Sequence, residues 1–426
     1  MKPSYYNFIF NQEEWSYWYN ALTGRYFKLS KSLSDKISQI LEKQADISKL
    51  PEKFYQLLVD NGFIVSKDTD ELQIVRDKHN RAVNKKDYFL IILPTLNCNF
   101  KCWYCIQDHI TSVMSPEVMQ AVKNHIDYMI NEEKIDSLHL DWFGGEPFMY
   151  FDKVIKPLTT YAIEKCKEAD IPFKSGATTN GYFINSKVSS QLSDLCFKQF
   201  QITLDGSKVH HDKVNYMQGC PSAFEHVLKN INHFLSETPD VVLFLRINYT
   251  HETLSDEIVS EVCSLIDEGN RSRVAINPKK VWQENIDKDF PIVIEDILSK
   301  FESQGFNVVR NTMINNYLSC YVNQKYYNSI NFNGHVVKCT ASDDLYSDDP
   351  KGKLMPDGKI QWFDDHDKKC IAPTFETEEC LKCKCLPSCM GPCPRESLND
   401  HTTCKYKYTD EDFETSLLNF LTHQYK

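Results

Sequence analysis

Three closely spaced cysteines are the first residues in this 426-residue sequence that indicate chemistry. Cys98, Cys102 and Cys105 form a C-x3-C-x2-C pattern directly after the apolar stretch 88–93. Thiolates at this spacing fall within one short loop and can all reach one iron–sulfur cluster. A cubane has four irons, so three protein ligands leave one iron open to bind another molecule. The alternative is a zinc site with His109 as its fourth ligand.

A second group of cysteines crowds the C-terminal part of the chain. It comprises Cys320, Cys339, Cys370, Cys380, Cys383, Cys385, Cys389, Cys393 and Cys404. No apolar secretion signal follows Met1, so a reducing compartment is expected, where clustered cysteines are more often metal ligands than disulfides. A zinc ribbon, with a C-x2-C pair at both ends, fits this spacing less well than iron–sulfur ligation.

The stretch 88–277 must position the first cysteines, and its pattern alternates short apolar strands with helical segments. The helix that opens at Ser115-Pro116-Glu117 is the clearest of these segments. This alternation predicts an α/β fold with a parallel sheet and its chemistry at the carboxyl ends of the strands. The predicted strands are 88–93, 137–142, 173–178, 199–204, 241–249 and 274–277.

The two ends of the chain differ from this middle part. Residues 1–86 contain no cysteine and predict three strands followed by two or three helices, a winged-helix-like module that ends in a polar linker at 66–87. From about residue 301 the periodicity fades into a loop-rich region of the kind that bound metal can stabilise. We therefore expect three domains: 1–86, 87–300 and 301–426.

Composition excludes several classes of protein. Hydrophobic residues make up 42% and charged residues 25%, so the chain can bury a core. The formal net charge of −11 argues against a nucleic-acid partner, and no apolar run could span a membrane. We expect a cytoplasmic protein that binds neither nucleic acid nor membrane.

The cysteine loop resembles the signature of the radical SAM superfamily, including the aromatic Tyr104 directly before the third cysteine. The segment Gly144-Gly145-Glu146-Pro147 resembles that superfamily's GGEP motif, which contacts the methionyl amino group of S-adenosylmethionine. The resemblance implies a partial (β/α)6 TIM-like barrel. It also implies a [4Fe-4S] cluster on Cys98, Cys102 and Cys105 that binds S-adenosylmethionine.

Two later strand ends also resemble cofactor-contacting motifs of peptide-modifying radical SAM enzymes. By this resemblance Thr179, Asn180 and Thr203 contact the cofactor. Where such relatives continue as His-Asp-x-x-Arg, this chain has Asn215 in place of the arginine that binds the cofactor carboxylate. Arg246 is a candidate substitute for it.

The C-terminal cysteines resemble the seven-cysteine pattern of the SPASM domain. This resemblance implies two auxiliary [4Fe-4S] clusters and so three clusters in all. Sulfatase-maturing relatives carry an additional cysteine a few residues before the first cysteine of this pattern, whereas residues 311–318 of this chain contain none. Those relatives also carry an acidic residue directly after the second cysteine of the pattern, where this chain has Thr340. The implied ligand sets are Cys380, Cys383, Cys389 and Cys404 for one cluster, and Cys320, Cys339 and Cys393 for the other.

Residues 1–86 resemble the winged-helix-like recognition element of ribosomal peptide maturases, which binds a leader peptide as an added strand. A structural cap and a DNA-binding module are the alternatives, and 14 Lys and Arg against 11 Asp and Glu give little basic excess. The resemblance implies a precursor peptide with a leader and a one-electron reductant, such as flavodoxin or ferredoxin, as partners.

The chain is thus expected to be a radical SAM oxidoreductase. It would modify a precursor peptide by forming a thioether or carbon–carbon crosslink through hydrogen abstraction by the 5′-deoxyadenosyl radical. The alternatives are an anaerobic sulfatase-maturing enzyme and a non-catalytic metal-binding peptide scaffold.

Overall fold

The computed structural model describes residues 1–42, 47–283, 290–310, 320–345 and 347–397, together with residues 404, 415, 417, 418, 420 and 421. The chain divides into two compact units. The barrel unit comprises residues 86–310 and 326–366, and the cysteine-rich unit comprises residues 1–85, 311–325 and 367–426. In the described part of the chain, no helix combines the length and the apolarity needed to cross a membrane.

The N-terminal part of the cysteine-rich unit contains a three-stranded antiparallel sheet followed by helices, as its pattern predicted. A short two-stranded ribbon pairs β1 with β5, and the sheet has the order β2-β3-β4. The elements are β1 Lys2–Pro3, β2 Asn7–Gln12, β3 Trp15–Asn20, β4 Arg25–Ser30, α1 Lys31–Glu42, α2 Glu52–Asp60, β5 Ile64–Val65 and α3 Glu71–Val83.

Both faces of the β2-β3-β4 sheet are covered, because successive side chains of a strand point to opposite faces. Trp18 is fully buried on one face, where it packs with Ile37 and Leu58 of the helices. Tyr17 and Tyr19 lie on the other face, in a hydrophobic cluster with residues of the C-terminal segment. The module is therefore an integral part of the cysteine-rich unit.

The expectation that residues 66–87 form a linker is wrong, because α3 occupies most of them. The Asp70 side chain caps this helix by accepting a hydrogen bond from the Gln73 backbone N–H at 2.9 Å. Val75 and His79 are buried in spite of the many charged residues between them. Because α3 has only a narrow apolar stripe and many charged residues, its sequence looks like that of a polar linker.

The barrel unit consists of alternating strands and helices followed by a hairpin region. Its strands are β6 Asp87–Ile92, β7 Ser137–Trp142, β8 Phe173–Thr179, β9 Phe197–Asp205, β10 Val242–Tyr249, β11 Val274–Lys280, β12 Asn307–Val308, β13 Tyr327–Ile330, β14 His335–Val337, β15 Gly352–Leu354 and β16 Ile360–Trp362. Its helices are α4 Pro116–Asn131, α5 Lys156–Glu168, α6 Ser186–Leu192, α7 Lys208–Val214, α8 Ala223–Glu237, α9 Glu257–Leu265, α10 Glu268–Arg271 and α11 Phe290–Ser303.

Strands β6 to β11 are parallel neighbours in sequence order, which confirms the α/β prediction and fits a partial barrel. Strand β12 extends the sheet beside β11, and β13 adds in parallel beside β6. Leu90, Leu140 and Leu245 point into the core that contains the apolar residues of the helices. The alternate residues of the strands face away from that core, and we call this side the inner face.

Two local features fix the first strand–helix unit. The Ser115 side chain accepts from the Val118 N–H and Pro116 follows it, so α4 begins where its sequence predicted. The Tyr88 hydroxyl lies 2.6 Å from His125 Nε2, and His125 Nδ1 lies 2.6 Å from the Gly358 carbonyl oxygen. Since a carbonyl only accepts, His125 Nδ1 carries the proton and Tyr88 donates to Nε2.

Between residues 366 and 397, all of which the structure describes, the C-terminal segment contains four helices of four residues each, joined by loops and turns. Helices this short contribute few backbone hydrogen bonds of their own. They are α12 His366–Lys369, α13 Glu378–Leu381, α14 Leu386–Cys389 and α15 Pro394–Ser397.

Candidate functional site

The loop between β6 and α4 carries the three cysteines of the C-x3-C-x2-C pattern at the carboxyl end of the first barrel strand. Its two ends are tied together, because the Met114 N–H donates to the Pro94 carbonyl at 2.9 Å and the Thr95 hydroxyl donates to the Ser112 carbonyl at 2.7 Å. Cys98 and Cys102 are partly buried and Cys105 is exposed.

The two glycines after β7 allow that segment to lie directly against the cysteine loop. The Gly145 N–H donates to the Thr95 carbonyl at 3.1 Å and the Glu146 N–H donates to the Asn97 carbonyl at 2.8 Å. A Cβ atom on Gly144 would lie 2.3 Å from the Thr95 oxygen, and one on Gly145 would lie 2.1 Å from the Asn97 oxygen. Gly144 also has a φ of +123°, so no other residue fits here without displacing the cysteine loop.

Glu146 ties the end of β7 to the end of β8. Its fully buried carboxylate accepts from the Thr179 hydroxyl at 2.7 Å, from the Asn180 N–H at 2.8 Å and from the Phe148 N–H at 2.9 Å. Burial raises the pKa of Glu146 to about 7, although these donors favour the charged form. The structure gives the Glu146 and Thr179 side chains a positioning role, and their contact with a cofactor stays a prediction.

Asn180 connects the hydrogen bonds of Glu146 to the cysteine loop. Its Nδ2 atom lies 3.8 Å from the Cys98 sulfur and donates to Asn99 Oδ1 at 2.8 Å. The loop, the glycine segment and the end of β8 thus form one hydrogen-bonded unit around Cys98.

The three thiols influence one another. Burial raises the pKa of Cys98 to about 12, and charges on Glu146 and Cys105 act in the same direction. Burial also raises the pKa of Cys102, with contributions from Asp205, Cys98 and Cys105. Clustered thiolates need a cationic partner, and iron in a cubane with thiolate ligands fits this donor set.

Among the residues that the structure describes, no three Cys, His, Asp or Glu side chains are arranged so that they could hold one metal ion. The Cys102 thiol instead donates to Asn215 Oδ1 at 3.0 Å. Asn215, which stands where relatives carry an arginine, is almost fully buried, and its Nδ2 donates to Asp205 at 2.5 Å. Tyr104 also donates to Asp205, so this carboxylate links the cysteine loop to the end of β9.

Thr203 and Arg246 lie side by side on β9 and β10, as the strand register shows. Both belong to the inner face, and the Arg246 Nε donates to Asn248 Oδ1 at 2.6 Å. Burial lowers the pKa of the Arg246 guanidinium, and the negative charge of Asp205 acts in the opposite direction. Arg246 is thus a cation close to the cysteine loop. That it binds the carboxylate of the cofactor stays a prediction.

In the cysteine-rich unit, the pKa of the Cys380 thiol depends on three other cysteines. Burial raises the pKa of Cys380 to about 12, and charges on Cys389, Cys383 and Cys404 raise it further. These four residues are the ones that the resemblance to the SPASM domain implies for one cluster, and that ligand set stays a prediction. Of the second predicted set, Cys320 and Cys393 belong to the cysteine-rich unit and Cys339 belongs to the barrel unit. Residues 311–318 lie outside the described residues.

Sequence reasoning did not assign a role to Asp205 or to the pair His139 and Asp141. A signal was available for the pair. Strands of a parallel sheet covered on both faces are usually almost wholly apolar, so two titratable residues at alternate positions of β7 are unusual.

Comparison with known proteins agrees with this geometry. Residues 92–278 match the Radical SAM superfamily. The chain is 25% identical over 187 residues to the radical SAM cyclopropyl synthase TigE of Paramaledivibacter caminithermalis, which is 39% of this chain and 38% of that protein. It is 29% identical over 173 residues to the GTP 3′,8-cyclase of Aliarcobacter butzleri, 38% of this chain and 46% of that one. Each match spans less than half of the relative's own length.

Two solved structures share the fold. Native anSMEcpe with bound AdoMet has a TM-score of 0.58 and 19% identity, and the match covers 79% of this chain and 98% of that one. Streptococcus suis SuiB has a TM-score of 0.52 and 15% identity, with 96% of this chain and 99% of that one covered. Residues 92–278 therefore form a radical SAM domain, and the likeness to the two solved structures shows its fold.

Proposed function

We propose that this protein is a radical SAM enzyme that forms a thioether or carbon–carbon crosslink in a ribosomally made precursor peptide. The observation that supports this most is the extent of the structural likeness. SuiB, one of whose structures is bound to the precursor peptide SuiA, matches 94% or more of the chain, whereas anSMEcpe matches 79%. The difference is about the size of the N-terminal module.

Cys98, Cys102 and Cys105 would hold the [4Fe-4S] cluster that binds S-adenosylmethionine. When bound, the cluster and S-adenosylmethionine together supply the 5′-deoxyadenosyl radical, which takes a hydrogen atom from an unactivated carbon. The chain's own part is positional, because the glycine segment and Glu146 keep the cysteine loop at the carboxyl ends of the strands. The inner face would enclose the reacting peptide and exclude water.

The cysteine-rich segment would hold two auxiliary [4Fe-4S] clusters. Crosslinking removes two hydrogen atoms from the peptide and is a net oxidation, so the second electron needs an acceptor. Auxiliary clusters suit this requirement, and a flavodoxin or ferredoxin would supply the first electron. We expect the enzyme to work in the cytoplasm.

The N-terminal module would bind the leader of the precursor. Among the described residues, β2 and β4 are the outer strands of its sheet, and an extended peptide can pair with such an edge. The covered faces of the sheet also support a structural role, so binding at the edge and stabilisation of the cysteine-rich unit are compatible.

The test is anaerobic co-expression with each small peptide encoded by a short reading frame beside the gene, followed by mass spectrometry. We expect one flanking peptide to lose two hydrogen atoms, and purified enzyme to contain about twelve irons per chain. The variant with Cys98, Cys102 and Cys105 all replaced by Ala should form neither product nor 5′-deoxyadenosine. Full activity in that variant, or iron-free wild-type protein, would contradict the proposal.

Sulfatase maturation is the second candidate, because the likeness to anSMEcpe has the higher TM-score. Its product is a peptidyl aldehyde, which a hydrazide reagent would trap. A peptide that loses two hydrogen atoms and does not react with hydrazide would exclude it.

A further inference from the structure

A pair of titratable residues, His139 and Asp141, lies on β7 of the barrel sheet, five and three residues before the glycine segment. Their neighbours Leu138, Leu140 and Trp142 belong to the core on the other side of the sheet. His139 Nε2 stands 3.8 Å from Asp141 Oδ1, and the two side chains are 11% and 16% exposed. The pair therefore lies on the inner face, partly open on that side.

The strands beside β7 make room for this pair. On β8, Gly176 stands opposite Asp141 in the register, and a Cβ atom there would lie 2.6 Å from Asp141 Oδ1. On β6, the Phe89 ring packs 4.2 Å from the His139 ring and stacks on Tyr327 at 5.6 Å. The carboxylate thus occupies space that any side chain at position 176 would take.

Among the residues that the structure describes, the buried polar atoms on the inner face without a hydrogen-bond partner include His139 Nε2, Asn277 Oδ1 and Ser329 Oγ. His139 and Asn277 are more than nine-tenths buried, and Ser329 is completely buried. Buried polar atoms almost always have partners in native proteins. Unsatisfied atoms on three strands of one surface indicate that this surface is completed by a polar molecule.

We propose that Asp141 is the proton acceptor for the peptide inside the barrel, and that the reacting peptide group beside it is an ionisable one, a cysteine thiol. This inference rests on the proposed function. For a thioether, the carbon partner gives its hydrogen atom to the 5′-deoxyadenosyl radical, and the thiol gives its proton to the Asp141 carboxylate. The carbon–sulfur bond then forms, and the remaining electron passes to a one-electron acceptor of the iron–sulfur class.

The ionisation of the pair suits this role. Burial raises the pKa of Asp141 to about 7. Burial lowers the pKa of His139 to about 4, and the charge of Lys174 acts in the same direction, so the imidazole is neutral beside the carboxyl group. The other inner-face neighbours are Phe89 and Ile91 on β6 and Gly176 on β8, none of them charged. A base with a pKa near the working pH is the most effective proton acceptor.

The test uses reconstituted enzyme, S-adenosylmethionine and the flanking peptide that wild-type enzyme converts, deuterated at the reacting carbon. In Asp141→Asn we expect crosslinking to fall about 100-fold or more, because general bases contribute at least that much. Deuterium transfer into 5′-deoxyadenosine should persist within about twofold, since hydrogen abstraction precedes proton loss. Asp141→Glu should recover part of the crosslinking, and Asp136→Asn, an exposed carboxylate beside the same strand, should match wild type.

Two outcomes would overturn the assignment: unchanged crosslinking in Asp141→Asn, or loss of deuterium transfer together with crosslinking, which would indicate a role in placing the peptide. A second measurement needs no peptide. Because the folded carboxyl binds its proton more tightly than the unfolded one, wild-type stability should fall relative to Asp141→Asn as pH rises from about 5 to 8. An equal difference in melting temperature at both pH values would also overturn the proposal. If wild-type enzyme converts no flanking peptide but melts as expected, the proposed function alone fails.

Discussion

The cysteine loop of the barrel unit and the segment 380–393 of the cysteine-rich unit both gather thiols, but they are supported differently. The loop is held by hydrogen bonds at the ends of β7, β8 and β9, where Glu146 and Asn180 donate to the loop and Asp205 accepts from Tyr104. The segment has only helices of four residues, and its buried Leu386 and Met390 pack with Tyr6, Tyr19 and other residues of the N-terminal module.

The difference shows two ways to place the predicted metal ligands. The position of a loop at the carboxyl ends of parallel strands is fixed by the large folded core beneath it. A loop-rich segment has little core of its own, so its geometry depends on a neighbouring module and on the bound metal. Damage to one region should therefore leave the other region intact, and the following predictions test this independence.

The largest effect is expected from Gly145→Ala, because the new methyl group would collide with the Asn97 carbonyl oxygen. The cysteine loop must then move, and we expect about four of the irons to be lost along with 5′-deoxyadenosine formation. Iron analysis and product assay measure this. Gly269→Ala is the control, since nothing lies within 4 Å of a Cβ atom at that position.

The matching change in the other region is Gly391→Ala. Gly391 has a φ of +106°, and a Cβ atom there would lie 2.0 Å from Thr374 Oγ1. We expect iron loss confined to the auxiliary clusters, while cleavage of S-adenosylmethionine in the absence of peptide continues. Loss of that cleavage in Gly391→Ala would show that the two regions depend on each other.

A smaller effect is expected from Leu386→Ala, which removes a buried side chain from the contact between the module and the segment. Large-to-small changes of this kind cost about 2–5 kcal/mol. Denaturant unfolding and iron content should both report it, with Leu57→Ala as the exposed control. Unchanged iron content at reduced stability would mean that the module does not support the cluster ligands.

The smallest effect concerns pH and only the barrel unit. Burial lowers the pKa of His125 to about 4, so the unfolded chain binds one more proton than the folded chain between about pH 6.5 and 4. Stability should therefore decrease as pH falls through this range, by up to about 3 kcal/mol. His125→Gln should show a shallower dependence in denaturant unfolding at pH 7, 6 and 5. Equal slopes for the two proteins would contradict the tautomer and burial assigned to His125.

The sequence predicted the barrel well, because its six strands are apolar runs with clear helix signals between them. The cysteine loop was singled out by residue type and spacing, and the glycine segment by its resemblance to a family motif, while the cofactor contacts of both stay predictions. The sequence missed α3, whose buried residues are too few to give a clear period. It also could not show that Glu146 is satisfied within the protein, or that Asn215 contacts a cysteine, because those contacts join residues far apart in the chain.

The sheet of the N-terminal module, with both faces covered, has a practical consequence for engineering. A peptide-binding domain on a flexible linker could be exchanged to change which peptide is bound, but the proposed leader-binding module of this chain shares its aromatic face with Leu386, Met390 and Leu417. Removal of residues 1–86 would expose these apolar side chains to solvent and would promote aggregation. A replacement module would therefore need a matching apolar face, and a change of the proposed peptide specificity is better attempted by redesigning the outer strands β2 and β4 in place.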